Sequence, residues 1–307
     1  MSLYIKTPLI DRLPFEEAPQ KVSFKMEAYQ PSGSFKLRGI EYLTREVLKK
    51  GVTHLVSSSG GNAGLSAAYV GRQLGIRVSV VVPVTTPAFI VEKLRQEGAR
   101  VTVHGEAWDE AHELALTMTR SKDTALIPPF DHPLLWEGHA SMVDELKEDL
   151  AGPPDLVIVS VGGGGLLNGV VEGLKRNHWT DTAILAVETR GAASFYESVK
   201  QHRLVTLEKI DTLATSLGAK TVSQKALQNA MDYPIIPHLV TDQAAVNACL
   251  RFADEYRTLV EPACGASLSV VFDESPVLRN YQRIVVIVCG GAIVNLEKLQ
   301  AWREKSL

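Results

Sequence analysis

The chain is short of cysteine, of net charge and of long apolar runs. Its 307 residues include three cysteines, Cys249, Cys264 and Cys289, an odd number with no CxxC spacing. That argues against a disulfide framework and a thiolate zinc site, and it favours a reducing, cytoplasmic setting. The net charge of −3 is too near neutral to expect nucleic acid or an anionic membrane as partner, so a small anionic ligand has to be held by local groups. The most apolar stretch, 284–296, is broken by Gly290, Gly291 and Asn295. It falls short of the ~20 residues that a membrane span needs. Residues 1–8 hold no apolar signal core. There is no GxxxxGK[ST] and no HExxH, and Leu167 and Asn168 stand where a dinucleotide fingerprint needs its third glycine. The histidines are scattered without metal spacing. Nucleoside triphosphate, dinucleotide and zinc-hydrolase chemistry are therefore poorly supported.

What is present is a regular alternation. Strand patterns occupy 22–26, 54–57, 78–82, 100–103, 156–161, 184–188 and 284–288. Helical patterns cover 35–50, 62–74, 87–97, 108–119, 166–176 and 243–256, and the first three stop at Gly51, Gly75 and Gly98. Runs 156–161 and 284–288 are continuously apolar rather than alternating, as in strands covered on both faces. The length is generous for one core and comfortable for two. The pattern predicts an α/β fold.

Four segments carry chemistry. Gly162, Gly163, Gly164 and Gly165 follow a buried strand and open a helical pattern. Bare backbone there lets several N–H groups face a ligand, and the helix start adds positive potential, so the segment reads as a phosphate cup. A tight turn with no ligand is the alternative, although four glycines are more than a turn needs. In Ser34-Phe35-Lys36, Ser34 is an N-cap candidate that sets Lys36 in the first turn of a helix. A cation at that end of the dipole is less readily protonated, which suits a Schiff-base lysine, though a lone lysine at a helix start is commonly just solvated. Ser59, Gly60, Gly61, Asn62 and Ala63 form a second strand-to-helix turn suited to a carboxylate, or simply an ordinary βα turn. Cys289 ends a buried strand, where α/β sheets present ligand-contacting residues, although a cysteine there also serves as a small buried hydrophobe.

Taken in order, these segments resemble the fold-type-II pyridoxal-phosphate enzymes, and within them the L-serine dehydratase and L-threonine dehydratase family, the animal liver branch most of all. The resemblance runs from Thr7-Pro8-Leu9 through Pro128-Pro129-Phe130-Asp131, Trp136-Glu137-Gly138-His139, Ser216-Leu217-Gly218-Ala219 and Glu261-Pro262-Ala263-Cys264-Gly265 to Cys289-Gly290-Gly291. It implies two domains, each an open, mostly parallel twisted sheet flanked by helices, like the tryptophan synthase β fold. The large one would comprise 1–34 and 134–307, and the small one, 35–133, would be inserted in it with the cofactor in the cleft. It implies a lyase that releases ammonia and pyruvate from L-serine, or 2-oxobutanoate from L-threonine. Serine racemase, a β-replacement synthase and a non-catalytic binder of the cofactor or of an amino acid are the alternatives.

The resemblance also assigns roles. Lys36 would carry pyridoxal 5'-phosphate as a Schiff base and take the α-proton. Phe35 would stack beside the ring, Asn62 would bond its phenolic oxygen, and Cys289 would face its nitrogen. Gly162, Gly163, Gly164, Gly165 and Leu166 would hold the phosphate. Ser59, Gly60, Gly61, Asn62 and Ala63 would hold the substrate carboxylate. A potassium-like ion would sit on Gly162, Glu188, Ala192, Ser194, Leu217 and Ala219. Racemase-like relatives have a second carboxylate at the position of Ser194, and its absence argues against magnesium. A homodimer is implied, as is a catabolic role, since the chain stops soon after the last helix. One departure stands out: relatives carry serine or alanine where this chain has Gly60. The missing hydroxyl disfavours racemisation, and the extra room is expected to alter turnover or substrate fit.

Overall fold

The computed structural model describes residues 1–13 and 20–305. In chain order the strands are β1 (Leu9–Asp11), β2 (Lys21–Lys25), β3 (His54–Ser57), β4 (Arg77–Val82), β5 (Arg100–Val103), β6 (Thr124–Leu126), β7 (Leu156–Ser160), β8 (Ala183–Thr189), β9 (Ile235–Val240) and β10 (Arg283–Ile287). The α-helices are α1 (Lys36–Leu48), α2 (Asn62–Leu74), α3 (Ala88–Gln96), α4 (Trp108–Thr117), α5 (Pro133–Asp149), α6 (Gly165–Arg176), α7 (Ser194–Gln201), α8 (Gln224–Asp232), α9 (Asp242–Tyr256), α10 (Pro262–Phe272) and α11 (Leu296–Lys305). They fall into two compact units: Met1–Ile5 with Gln30–His139, and Lys6–Tyr29 with Ala140–Leu307. Among the described residues no helix is long and apolar enough to cross a membrane.

The first unit is built on a parallel sheet of order β5-β4-β3-β6. Crossover helices follow the strands, so β3 and β4 are covered and read as apolar runs. One layer of the core is Val56 and Val81 against Ala111 and Ala115 of α4, with Leu114, Met118 and Leu126 around them. Gly75 ends α2 at φ 67°, a left-handed position where a Cβ is disfavoured, which is why the helix stops there.

The second unit holds a sheet of order β1-β2-β10-β7-β8-β9. Among the described residues only the β1–β2 pair is antiparallel. The central strands β7 and β8 are buried along their whole length. Lys25 at the end of β2 is fully buried and pairs with Glu145 of α5 at 2.7 Å while donating to the Thr7 carbonyl at 2.7 Å. A buried ammonium needs such a partner set to avoid a large desolvation cost.

The expected helix start at Ser34 is corrected. Phe35 already has helical angles (φ −53°, ψ −22°) and stands at the cap position without a side-chain bond. The Ser34 hydroxyl is fully buried with no hydrogen-bond partner among the described residues, while its carbonyl accepts the Leu37 N–H at 3.3 Å. The chain enters α1 through i to i+3 turns, so no capping side chain is used. Lys36 is the first residue of α1.

Candidate functional site

In the first unit the Gln30–Gly33 turn reverses the chain into α1, with the Gly33 N–H donating to the Gln30 carbonyl at 2.6 Å. Ser32 and Ser66 share a hydrogen bond of 2.8 Å, which ties this turn to α2. The half-buried Lys36 donates its Nζ to the Pro129 carbonyl and lies 5.1 Å from the centroid of the Phe35 ring. Pro129 belongs to a segment held in place by the Trp136 indole N–H, which donates to the Phe130 carbonyl at 2.8 Å.

Phe35 meets His139 edge-on, with centroids 4.8 Å apart. His139 is fully buried, and its Nδ1 accepts the Gly39 N–H at 3.2 Å. Burial, reinforced by the charges of Lys36 and Arg38, holds its imidazole well below the usual histidine range, so the ring is neutral. Gly39 is a steric necessity here, since a Cβ would come within 2.5 Å of both His139 Cε1 and the Leu135 carbonyl.

The 59–63 segment joins β3 to α2, and its hydroxyls are turned onto their own neighbourhood. The Ser57 Oγ accepts the Ser59 N–H at 3.3 Å, and the Ser59 Oγ accepts the Gly61 N–H at 3.2 Å. Ser58 pairs with His112 at 2.9 Å. Gly61 stands at the cap of α2, so Asn62 and Ala63 begin the helix with N–H groups at its positive end. The turn folds back so tightly that a Cβ on Gly64 would lie 1.9 Å from the Ser59 carbonyl. The extra room expected beside Gly60 is not there. A Cβ at that position would meet Thr86 Cγ2 and Oγ1, both at 2.9 Å, and Val82 Cγ1 at 3.3 Å. Thr86 fills the space, which no reading of the local sequence reveals.

In the second unit the 162–165 turn, Glu188 and Cys289 occupy the carboxyl ends of three adjacent parallel strands, β7, β8 and β10. That is where open α/β sheets bind ligands. Gly164 adopts φ +92°, and a Cβ on it would sit 2.7 Å from the Ala226 Cβ. Among the described residues the N–H groups of Gly163, Gly164, Gly165 and Leu166 donate to no backbone carbonyl. The turn is braced from behind. The Gly163 carbonyl accepts the Ser223 N–H at 3.0 Å. The Ser223 hydroxyl caps α8 and accepts from Asn168 Nδ2 at 3.1 Å, and Asn168 Oδ1 accepts from Asn229 at 3.0 Å. A rigid arc of outward N–H groups fits a phosphate.

Cys289 is buried, with its Sγ 3.5 Å from the Ser160 hydroxyl and 3.3 Å from Cys264 Sγ. A thiol is a weak donor, and its place among such weak partners fits a contact with a ring nitrogen.

Glu188 is fully buried, and its two carboxyl oxygens accept the Phe195 N–H at 2.9 Å and the Tyr196 N–H at 2.7 Å at the start of α7. Burial pushes its pKa up to about 8 despite those donors. Ser194 opens α7 with a buried hydroxyl that has no partner among the described residues. Ala192 lies buried in the preceding single turn, Arg190–Ala192. A Cβ on Gly162 would touch the Ser216 carbonyl at 3.0 Å and Leu217 Cα at 3.1 Å, and the Leu217 carbonyl accepts the Ala219 N–H at 2.8 Å. An unsatisfied buried hydroxyl at the start of the helix whose N–H groups a buried carboxyl accepts fits a cation bound by oxygen ligands. Among the described residues there is no group of three or more His, Cys, Asp or Glu side chains placed to hold a metal ion.

The family model described as pyridoxal-phosphate dependent enzyme matches residues 1–290. The chain is 46% identical to a Mus musculus protein named L-serine dehydratase/L-threonine deaminase, over 98% of this chain and 95% of that one. It is 45% identical to a Homo sapiens protein named serine dehydratase-like, over 97% of this chain and 93% of that one. Among solved structures, a fungal L-serine ammonia-lyase from Rhizomucor miehei superposes with a TM-score of 0.93 at 37% identity, over the whole of both chains.

Proposed function

Since the chain belongs to the pyridoxal-phosphate dependent enzyme family, we propose that it is an L-serine ammonia-lyase that also accepts L-threonine. The reaction releases ammonia and pyruvate, or 2-oxobutanoate from threonine. The observation that carries the choice of reaction is the similarity, along almost the whole chain, to proteins named for serine dehydration.

The cofactor, when bound, withdraws electrons from the α-carbon of the amino acid and so makes its proton removable. Lys36 would hold that cofactor covalently, and its free amine would take the α-proton as general base. Its place as the first residue of α1, beside the ring of Phe35, supports both roles. The N–H groups of Gly163, Gly164, Gly165 and Leu166, with Gly162 leading into them, would hold the phosphate. Phe35 would lie against the ring, Asn62 would bond its phenolic oxygen and Cys289 would face its nitrogen. Ser59, Gly60, Gly61, Asn62 and Ala63 bind the substrate carboxylate at the start of α2. Gly60 brings no hydroxyl to the loop, and this favours elimination over racemisation.

A monovalent cation of the potassium class completes the reading, held by Glu188, Ser194 and the carbonyls around Gly162, Ala192, Leu217 and Ala219. The buried Ser194 hydroxyl and the buried Glu188 carboxyl support it. The reading extends to a homodimer, by family membership, and to a cytoplasmic setting, by its three buried free thiols. The test is Lys36→Ala. Keto-acid release from L-serine and the cofactor linkage fixed by borohydride should both disappear. Full activity in that variant overturns the assignment.

A further inference from the structure

Gly60 is a glycine for a reason that its backbone does not supply. Its φ is not positive, unlike that of Gly164, so any residue could adopt the conformation. What excludes a side chain is Thr86, whose Cγ2 and Oγ1 both stand 2.9 Å from the place a Cβ would take. Thr86 is half-buried and its backbone is restrained. Its N–H donates to the Pro83 carbonyl at 3.0 Å, closing the turn after β4. Its β-branch restricts χ1, and the following Pro87 restricts its backbone. The other side of the loop is closed by the approach of the Ser59 carbonyl to Gly64. The loop hydroxyls of Ser57, Ser58 and Ser59 are engaged with neighbours in the same unit. The bare Gly60 backbone is thus clamped between this threonine and its own return into α2.

We propose that Thr86 is a positioning residue for the substrate carboxylate, acting through van der Waals contact with Gly60 to fix the N–H groups at the start of α2. This rests on the assignment of the 59–63 loop to the carboxylate. Substrate binding then depends on the shape of residue 86 and on the absence of a side chain at 60, and the two positions are energetically coupled.

The experiment is a double-mutant cycle on the holoenzyme with G60A, T86A and G60A/T86A, together with T86V. It reads KM and kcat for L-serine, the thermal midpoint, and the inhibition constant of ethanolamine, an amine without the carboxylate. G60A should raise KM about tenfold, the scale of one lost hydrogen bond, with a smaller change in kcat. T86A should raise KM less, T86V should stay close to the parent because both γ-positions remain filled, and in the double variant the G60A penalty should shrink. Ethanolamine inhibition should not follow these changes. Independent, multiplicative effects of G60A and T86A on both KM and the thermal midpoint would overturn the coupling and hence the proposal. An equal loss for ethanolamine and L-serine would overturn the carboxylate assignment of the loop and the inference with it. A coupled thermal midpoint with KM unmoved in every variant would overturn the positioning role while leaving that assignment standing.

Discussion

The Sγ atoms of Cys264 and Cys289 lie 3.3 Å apart in the buried second unit, and Cys264 does more than fill space there. Its thiol donates to the Gly290 carbonyl at 2.9 Å and accepts the Gly290 N–H at 3.0 Å. One side chain on α10 thereby bonds both backbone groups of the residue next to Cys289, whose carbonyl also accepts the Glu261 N–H at 3.2 Å. Burial and the neighbouring Cys289 push the Cys264 thiol well above its ordinary pKa, so it stays protonated and able to donate. Cys264→Ala should cost about 1–3 kcal/mol of unfolding free energy, the penalty of leaving the buried Gly290 N–H unpaired. Cys264→Ser should cost less. Urea unfolding of the three proteins measures the difference, and equal loss in Ala and Ser variants would contradict the bonding account.

Gly39→Ala places a methyl group 2.5 Å from His139 Cε1 and the Leu135 carbonyl. Neither can retreat, one being backbone and the other a fully buried ring. Overpacking of this kind costs about 1–3 kcal/mol. Because Gly39 is one turn beyond Lys36 in α1, a shift should also weaken the cofactor linkage proposed for Lys36. The expected result is a lower thermal midpoint together with a reduced visible absorbance of the bound cofactor.

Acid should destabilise the fold through its histidines. His54, His132, His139 and His238 all titrate below the usual range, with burial as the leading cause at each. The unfolded chain takes up these protons near pH 6.5, roughly the free imidazole value, so below that pH it binds more protons than the folded chain. Stability is therefore present above about pH 6.5 and is lost as pH falls through and below it. The urea midpoint should drop between about pH 7 and pH 5, and the drop should be shallower in His139→Gln. An unchanged slope in that variant would show that His139 does not contribute.

Glu188→Gln keeps the shape of the side chain but removes the charge that a monovalent cation would balance. Activity of the parent enzyme should rise when potassium replaces lithium as the only monovalent cation. In the variant that response should fall by about tenfold, the scale of one charge-assisted contact. A potassium response of parental size in Glu188→Gln would remove Glu188 from the cation site.

Much of the architecture is legible in local sequence. The stretches 54–57, 62–74 and 100–103 form a strand, a helix and a strand over those same residues. Their signals are apolar runs bounded by glycines whose left-handed φ terminates helices, at Gly75 and Gly98 for example. Elements without such signals escape a sequence reading. β6 has three residues, too few for any period. β9 contains Pro237, which argues against a strand until its place at the edge of the sheet is known. α10 is buried all round and so has no amphipathic stripe to detect.

The candidate site divides along the same line. The sequence by itself determined the βα turns, their glycines, the lysine that opens α1 and the order of these motifs along the chain, because each depends on the backbone preferences of a few adjacent residues. Only the tertiary structure decided what surrounds them: Thr86 against Gly60, His139 against Gly39, Ser223 with Asn168 and Asn229 behind the glycine turn, and Cys264 on Gly290. Those partners are separated by 26 to 100 residues in the pairs Cys264–Gly290 (26), Thr86–Gly60 (26) and His139–Gly39 (100). No local preference encodes such a pairing; it arises when packing brings two surfaces together and one of them has no room for a Cβ.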